Sequence, residues 1–199
     1  MDCRTITEQL MHLGRIASGD GLVEGLTPGQ WAILRYFAHA NRFSQTPSAF
    51  AAFHAITRGS ASQAIKSMVT QGYLHQARSK ADGRSVRLGL TNKARAIFVN
   101  DPIEVLVEAV EALPPGVRGG FSSILQRMLG RVALATGKPH FGVCESCAHF
   151  ADGGGGCEEG RPTHLCTFQH EPLMEEDLDR LCIDFTPEKP APKAGVGLR

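Results

Sequence analysis

The spacing of hydrophobic residues changes period along the chain, and each change predicts a new element. Between residues 57 and 71 the apolar positions recur mostly every three to five residues, which predicts an amphipathic helix that Gly72 ends. From Val86 to Leu90 apolar and other residues alternate, which predicts a β-strand. The polar segment 78–83 precedes this strand, so the sequence predicts a helix followed by a β-hairpin.

The helical period also recurs on both sides of this stretch. It predicts helices over residues 3–18, from Pro28, over 47–55, after Thr91 and over 121–132, with the helix after Thr91 kinked or split at Asp101-Pro102. Thr27 is expected to cap the second helix and Trp31 to face the core. The outer helices carry more apolar surface than a small domain covers alone, which favours pairing with a second copy.

These elements define the predicted fold class. It is mainly α with a small β-hairpin wing: a winged helix-turn-helix with long dimerisation helices and an irregular cysteine-rich tail. We expect three parts: a DNA-binding and dimerisation domain over residues 1–136, a cysteine-rich extension over 137–185 and a flexible tail over 186–199.

Charge is segregated along the chain, although the net charge is only +1. Eight basic residues and one acid lie between Thr57 and Arg95, whereas eleven acids and two basic residues lie between Phe141 and Glu188. A short helix beside a cationic hairpin suits duplex DNA. The basic middle and the acidic end therefore indicate separate roles.

Four segments of the chain carry a family resemblance, namely residues 26–31 (LTPGQW), 56–63 (ITRGSASQ), 71–74 (QGYL) and 82–95 (DGRSVRLGLTNKAR). With these segments, the chain from about residue 4 to residue 136 resembles the MarR family of transcription regulators. It implies an obligate homodimer that places two recognition helices in successive major grooves of a pseudo-palindromic operator in double-stranded DNA. It also implies repression that a ligand or an oxidant relieves, and Arg84 at the wing tip, steadied by Asp82.

The recognition helix and the wing supply the predicted DNA contacts. We expect base-edge contacts from residues near the start of the helix, namely Arg58, Ser60, Ser62 and Gln63. Thr57 is expected to cap this helix. Cations that follow the DNA backbone position a protein rather than specify a sequence, and the residues expected in this role are Lys66, Arg78, Lys80 and Arg87.

Five of the six cysteines lie beyond residue 143. Cys144 and Cys147 form a C-x2-C knuckle, which places two sulfurs on one tight turn. Two solitary cysteines would complete a four-thiolate site. We favour Cys166 and Cys182 over Cys157, because Cys157 lies in a glycine-rich acidic segment that resembles an insertion. The predicted metal ligands are therefore Cys144, Cys147, Cys166 and Cys182.

Two cofactors compete for these thiols. An iron–sulfur cluster is the first choice, because it accepts solitary, widely spaced cysteines in a hydrophobic shell. Zn²⁺ is the second, because structural zinc most often uses paired knuckles and only one C-x2-C pair is present. Redox-active thiols without a metal remain a third possibility. The nearby histidines are expected to be structural or exposed rather than ligands.

The functional prediction follows from these parts. No run of about 18 apolar residues is present and the amino terminus lacks a signal-peptide core, so a cytoplasmic protein without membrane contact is expected. The sequence has neither a Ser/His/Asp ordering nor a phosphate-binding loop, so it does not indicate an enzyme. We expect a dimeric DNA-binding regulator, acting as a repressor, modulated through the four-cysteine site. The alternative is a MarR-like repressor that responds to a small-molecule effector and carries a structural zinc site.

Overall fold

The structure is a computed structural model that describes residues 2–19, 21–78, 86–153 and 164–187. The chain divides into two compact units. The winged-helix unit comprises Met1–Ala38 and Gln45–Arg127, and the cysteine unit comprises His39–Ser44 and Met128–Arg199. The loop 39–44 thus belongs with the carboxy-terminal part of the chain, a grouping that the hydrophobic pattern does not predict.

The first four helices follow the predicted pattern closely. They are α1 (Cys3–Ser18), α2 (Pro28–His39), α3 (Pro47–Phe53) and α4 (Arg58–Thr70). Thr27 and Gln30 cap α2 reciprocally, since the Gln30 amide donates to Thr27 Oγ1 and the Thr27 amide donates to Gln30 Oε1. Thr46 accepts from the Ala49 amide and caps α3. Helix α3 ends two residues earlier than predicted, before Ala55, whose φ is positive.

The predicted β-hairpin follows α4. Strands β1 (Leu74–Arg78) and β2 (Val86–Leu90) pair antiparallel, with Leu74 opposite Leu90. Gly72, with φ of +75°, ends the helical segment as predicted. The helix after Thr91 is split near Asp101, as predicted, into α5 (Asn92–Ile97) with a 3₁₀ turn (Phe98–Asn100), and α6 (Glu104–Glu111). Helix α7 (Pro115–Thr136) follows.

Trp31 lies in the core of the winged-helix unit, as predicted. It is 1% exposed, its indole N–H donates to the Val23 carbonyl over 3.1 Å, and its ring meets the Phe98 ring edge-on. Leu34, Phe37, Met68 and Leu88 are buried in the same unit. The buried Asp101 accepts from the Arg35 guanidinium, an ion pair inside this unit.

The cysteine unit has more regular structure than the irregular tail that the sequence predicts. Its described residues include three short antiparallel strands in sequential order and a short helix: β3 (Phe150–Asp152), β4 (His164–Cys166), β5 (Glu171–Leu173) and α8 (Glu175–Leu178). Strands of three residues are too short to show a period-two pattern, which is why the sequence does not reveal them. Among the described residues no helix has the length and apolar character needed to span a membrane.

Candidate functional sites

Helix α4 presents the predicted base-reading residues on its exposed face. Arg58, Ser62 and Gln63 are exposed, and so is Lys66 one turn later. The opposite face is buried through Ala61, Ile65 and Met68. This division follows from the helical period, because residues three and four positions apart share one face. The helix therefore fixes one apolar face and leaves a polar face free for a partner.

The first turn of α4 is held by side-chain hydrogen bonds. Thr57 Oγ1 accepts from the Ser60 amide over 3.1 Å, which confirms the predicted cap. The Ser60 hydroxyl is exposed and lies 2.9 Å from the same Thr57 oxygen. Ser60 thus has a partner within its own helix, and its hydroxyl must share or leave that bond to read a base.

The wing strands lie against the start of the helix-turn-helix. The Leu88 amide of β2 donates to the Gln45 carbonyl over 2.9 Å, just before α3. Arg87 on the same strand is partly exposed. Lys80, Asp82 and Arg84 lie outside the described residues, as does the side chain of Arg78. Their predicted DNA contacts therefore remain predictions.

The cysteine unit brings the four predicted ligands together around one pocket. Cys144, Cys147, Cys166 and Cys182 all line it, and none of their side chains is more than 9% exposed. The other lining residues are mostly apolar or aromatic, namely Phe43, His149, Phe150, Leu173 and Asp184. Thus four of the five carboxy-terminal thiols line one pocket. Cys157 lies outside the described residues.

Each thiol is positioned by a different short element. Cys144 opens a 3₁₀ turn, and the Cys147 amide donates to the Cys144 carbonyl over 3.0 Å, so the knuckle is a tight turn. Cys166 ends β4. The Cys182 amide donates to the Gly142 carbonyl over 2.8 Å, which holds the last cysteine beside the segment that precedes the knuckle. The cysteines therefore converge through backbone hydrogen bonds across more than thirty-five residues.

N–H donors point at the sulfurs of the pocket. The Thr186 amide donates to Cys147 Sγ and the Gln169 amide to Cys166 Sγ, each over 3.5 Å. The Asn41 side-chain amide lies 3.9 Å from Cys144 Sγ. N–H donors directed at sulfur stabilise the anionic thiolate and tune metal–thiolate sites. Such donors are the feature that distinguishes this pocket from an ordinary apolar core.

The pKa values of two of these thiols are raised. Burial raises the pKa of Cys144 to about 12, and the neighbouring Cys182 adds to this effect. Burial also raises the pKa of Cys182. An oxidant-sensing cysteine needs the opposite, a lowered pKa and access to solvent. The pocket therefore does not favour bare redox-active thiols.

The four thiols line one pocket but are not arranged as a closed metal site. Within the described ranges, no group of three or more histidine, cysteine, aspartate or glutamate side chains is placed so that it could hold a metal ion. A single tetrahedral zinc ion would need sulfurs about 2.3 Å from one centre. The four cysteines supply the donor set of a thiolate-bound group, but their side chains as placed do not form a closed coordination site.

Sequence reasoning missed the part that the loop 39–44 plays in this site. Phe43 lines the pocket and Asn41 is fully buried beside Cys144. These residues precede the knuckle by about a hundred positions, within a segment that the sequence describes only as a polar loop. No local pattern indicates such a partnership, since it arises from chain folding alone.

Comparison with known proteins identifies the winged-helix part. Residues 24–85 match the family model described as "MarR family". A MarR transcriptional regulator from Methanosarcina mazei Go1 matches with 20% identity and a TM-score of 0.51, covering 66% of this chain and 96% of that one. Streptococcus pneumoniae FabT, solved in complex with DNA, matches with 21% identity and a TM-score of 0.50, covering 66% and 99%.

A third similar structure is that of S. aureus MepR bound to DNA, with 17% identity, a TM-score of 0.50, and coverage of 66% of this chain and 98% of that one. No match was found among curated proteins. These likenesses are to DNA-binding regulators and not to enzymes, as predicted. Residues 24–85 thus match the MarR family, and about two thirds of the chain has the winged helix-turn-helix fold of MarR-type transcription regulators.

Proposed function

We propose that this protein is a dimeric, DNA-binding transcription regulator, acting as a repressor, whose operator affinity depends on a group bound by Cys144, Cys147, Cys166 and Cys182. The observation that carries the proposal is the convergence of these four thiols on one buried pocket. Packing alone gives no evident reason to bury four free cysteines next to N–H groups that point at their sulfurs. A thiolate-bound group would use both features.

DNA binding is supported by the exposed polar face of α4 and by the fold. The solved FabT and MepR complexes contain DNA, and the winged-helix unit shares their fold. We infer that α4 enters the major groove with Arg58 and Gln63 near base edges, and that Lys66 contacts phosphate. The wing residues Arg84 and Asp82 are proposed to contact the minor groove or the backbone.

An iron–sulfur cluster is the proposed bound group, with Zn²⁺ as the competing one. The cluster is supported by the apolar shell that Phe43, Phe150 and Leu173 provide around the four thiols. A zinc ion would instead draw the sulfurs inward and give the unit a structural role. In that case the signal would be a small-molecule effector that acts on the winged-helix unit.

The test is to purify the protein without air and measure its absorbance spectrum with its iron, sulfide and zinc content. We expect visible absorbance and iron with sulfide, lost when Cys144 or Cys166 is changed to serine. Cys3→Ser is the matched control, because Cys3 is exposed in α1 and lies outside the pocket. If the protein contains one zinc ion per chain and no iron, the bound group is Zn²⁺ and not an iron–sulfur cluster.

The same samples test regulation. A duplex selected from a random library by the wild-type protein serves as the DNA probe, and its affinity is measured before and after chelator treatment. We expect affinity to change by about tenfold, a typical size for coupling between two sites. A metal-free protein with all four cysteines intact, or unchanged affinity after metal removal, would contradict the proposed function.

A further inference from the structure

The loop 39–44 connects α2 to α3 in sequence but is hydrogen-bonded to the cysteine unit. The Asn41 amide donates to the Leu181 carbonyl over 2.9 Å, and the Leu181 amide donates to the His39 carbonyl over 2.8 Å. The Ile183 amide donates to Ser44 Oγ over 2.8 Å. These bonds flank Cys182 on both sides, so the loop is fixed to the backbone that carries one of the four thiols.

Asn41 joins this loop to the sulfurs through one side chain. Its carbonyl oxygen accepts from the Phe43 and Ser44 amides, over 3.2 and 3.0 Å, and so holds the turn of the loop. Its amide nitrogen points at Cys144 Sγ over 3.9 Å. The side chain is fully buried. One buried side chain thus connects the turn of the loop to the sulfur.

Arg42 ties the same loop to the sheet of the cysteine unit. Its guanidinium donates to the Pro172 carbonyl of β5, and it lies 3.4 Å from Glu171 and 3.7 Å from Asp177. Phe43 lines the thiol pocket directly. Four consecutive residues, 41–44, thus contact the parts of the chain that surround the pocket.

The far end of the loop continues directly into the DNA-binding elements. Gln45 follows Ser44, and its carbonyl accepts from the Leu88 amide of the wing strand β2. Thr46 follows Gln45 and caps α3, the first helix of the helix-turn-helix. A displacement of residues 41–44 would reach the wing and the α3 cap through two residues of continuous chain.

We propose that the loop 39–44 transmits the state of the four-cysteine site to the helix-turn-helix, with Asn41 as the positioning residue that links the sulfur to the loop. The inference rests on the proposed function. A sulfur that ligates a metal carries negative charge and accepts N–H hydrogen bonds more strongly than a neutral thiol. Loss of the bound group weakens the Asn41 bond, loosens the loop turn and shifts the start of α3.

Hydrogen–deuterium exchange on the wild-type protein gives the first test, before and after chelator treatment. We expect amides of residues 41–46 to exchange faster once the bound group is removed, because the Asn41 turn loses its anchor. The amides of α1, in the winged-helix unit, serve as the internal reference and should change less. Unchanged exchange in residues 41–46, in a protein whose DNA affinity does change, would overturn the inference.

Two variants provide the second test. Asn41→Asp keeps an acceptor for the Phe43 and Ser44 amides but removes the donor to sulfur, and Ser44→Ala removes the acceptor of the Ile183 amide without adding charge. The matched control is Asn100→Asp, an exposed asparagine of the winged-helix unit that bonds Glu24. The readouts are metal and sulfide content, and the ratio of DNA affinities with and without the bound group.

For the wild type, the ratio of DNA affinities with and without the bound group is expected to be about tenfold. Both loop variants should still bind the metal and sulfide, but their DNA affinity should be nearly the same with and without the bound group. The Asn100 variant should retain the wild-type ratio. Loop variants that load and keep that ratio would overturn the inference while the proposed function stands. If Asn41→Asp does not load, Ser44→Ala and the exchange data decide. A wild-type ratio near one would instead overturn the proposed function itself.

Discussion

Gly142 lies where the cysteine unit leaves no room for a side chain. A Cβ atom at this position would lie 2.6 Å from the Phe185 ring, which is only 8% exposed. The carbonyl of the same glycine accepts the Cys182 amide. The absence of a side chain at Gly142 therefore allows the aromatic ring to close over the backbone bridge that positions a predicted ligand.

Gly142→Ala is expected to destabilise the cysteine unit by about 1–3 kcal/mol, because the ring or the bridge must shift. Opening of the unit is measured in chelator-treated protein by the rate at which its buried thiols are alkylated, which should rise. Trp31, the only tryptophan, reports the winged-helix unit through its fluorescence, which should not change.

Gly59→Ala is the control for this substitution. Its Cβ would meet only Thr57 Oγ1, at 3.8 Å, and alanine in the first turn of α4 should stabilise that helix by up to about 1 kcal/mol. Thiol alkylation in this variant should match the wild type. Equal alkylation rates in the two glycine variants would contradict the packing argument at Gly142.

At the scale of elements, α4 is determined by local signals that the sequence displays. Its cap at Thr57, its apolar face and its end at Gly72 all appear where the pattern predicts them. Its surface role also follows from the pattern, because side chains off the apolar face must point to solvent or a partner. DNA contacts by this helix can therefore be tested one residue at a time.

Lys66→Ala is expected to weaken binding to all duplexes and to reduce the slope of log affinity against log salt by about 1, because one phosphate contact is lost. Gln63→Ala is expected to relax sequence preference at one base pair, by about 1–3 kcal/mol, with an unchanged salt slope. Binding is measured by fluorescence anisotropy across a salt series.

Lys138→Ala is the matched control, since Lys138 is an exposed cation of the cysteine unit. Its salt slope should equal that of the wild type. A slope unchanged by Lys66→Ala, or changed equally by both lysine substitutions, would contradict the assignment of Lys66 to a phosphate contact.

At the scale of the whole molecule, the outer helices leave apolar side chains exposed in a single chain. Ile16 of α1, Val105 of α6 and Ile124 of α7 are each more than half exposed. Helices α6 and α7 contain no buried residue among those described. Long amphipathic helices with no covered face are typical of chains that pair, so a homodimer is proposed from these helices.

Ile124→Glu is expected to shift the protein from dimer to monomer at micromolar concentration, because a charge would be buried without a partner. Mass is measured by analytical ultracentrifugation, and DNA affinity should fall with dissociation. Leu22→Glu is the control, because Leu22 is 69% exposed in the loop between α1 and α2. If the dimer persists with Ile124→Glu but dissociates with Leu22→Glu, the dimer interface does not include Ile124 of α7.

The features that the sequence alone determines depend on interactions between residues that are close along the chain. Helical period, capping residues and the alternation of β2 depend on neighbours within a few positions, so α1–α5 and the hairpin are predictable. Cys144, Cys147, Cys166 and Cys182 line one pocket, and local features such as the knuckle spacing predict this grouping. The exclusion of Cys157, which lies outside the described residues, stays a prediction.

Tertiary structure alone decides which distant residues accompany those thiols. Asn41 and Phe43 reach the pocket because Leu181 and Ile183 pair with the loop 39–44, across about 140 residues of chain. This pairing arises because buried backbone N–H and C=O groups must form hydrogen bonds once the chain has folded. The hydrophobic pattern of the sequence does not indicate which groups pair. The sequence therefore determines the helix-turn-helix and predicts which thiols share the pocket, whereas only the fold places the loop before α3 beside the sulfurs.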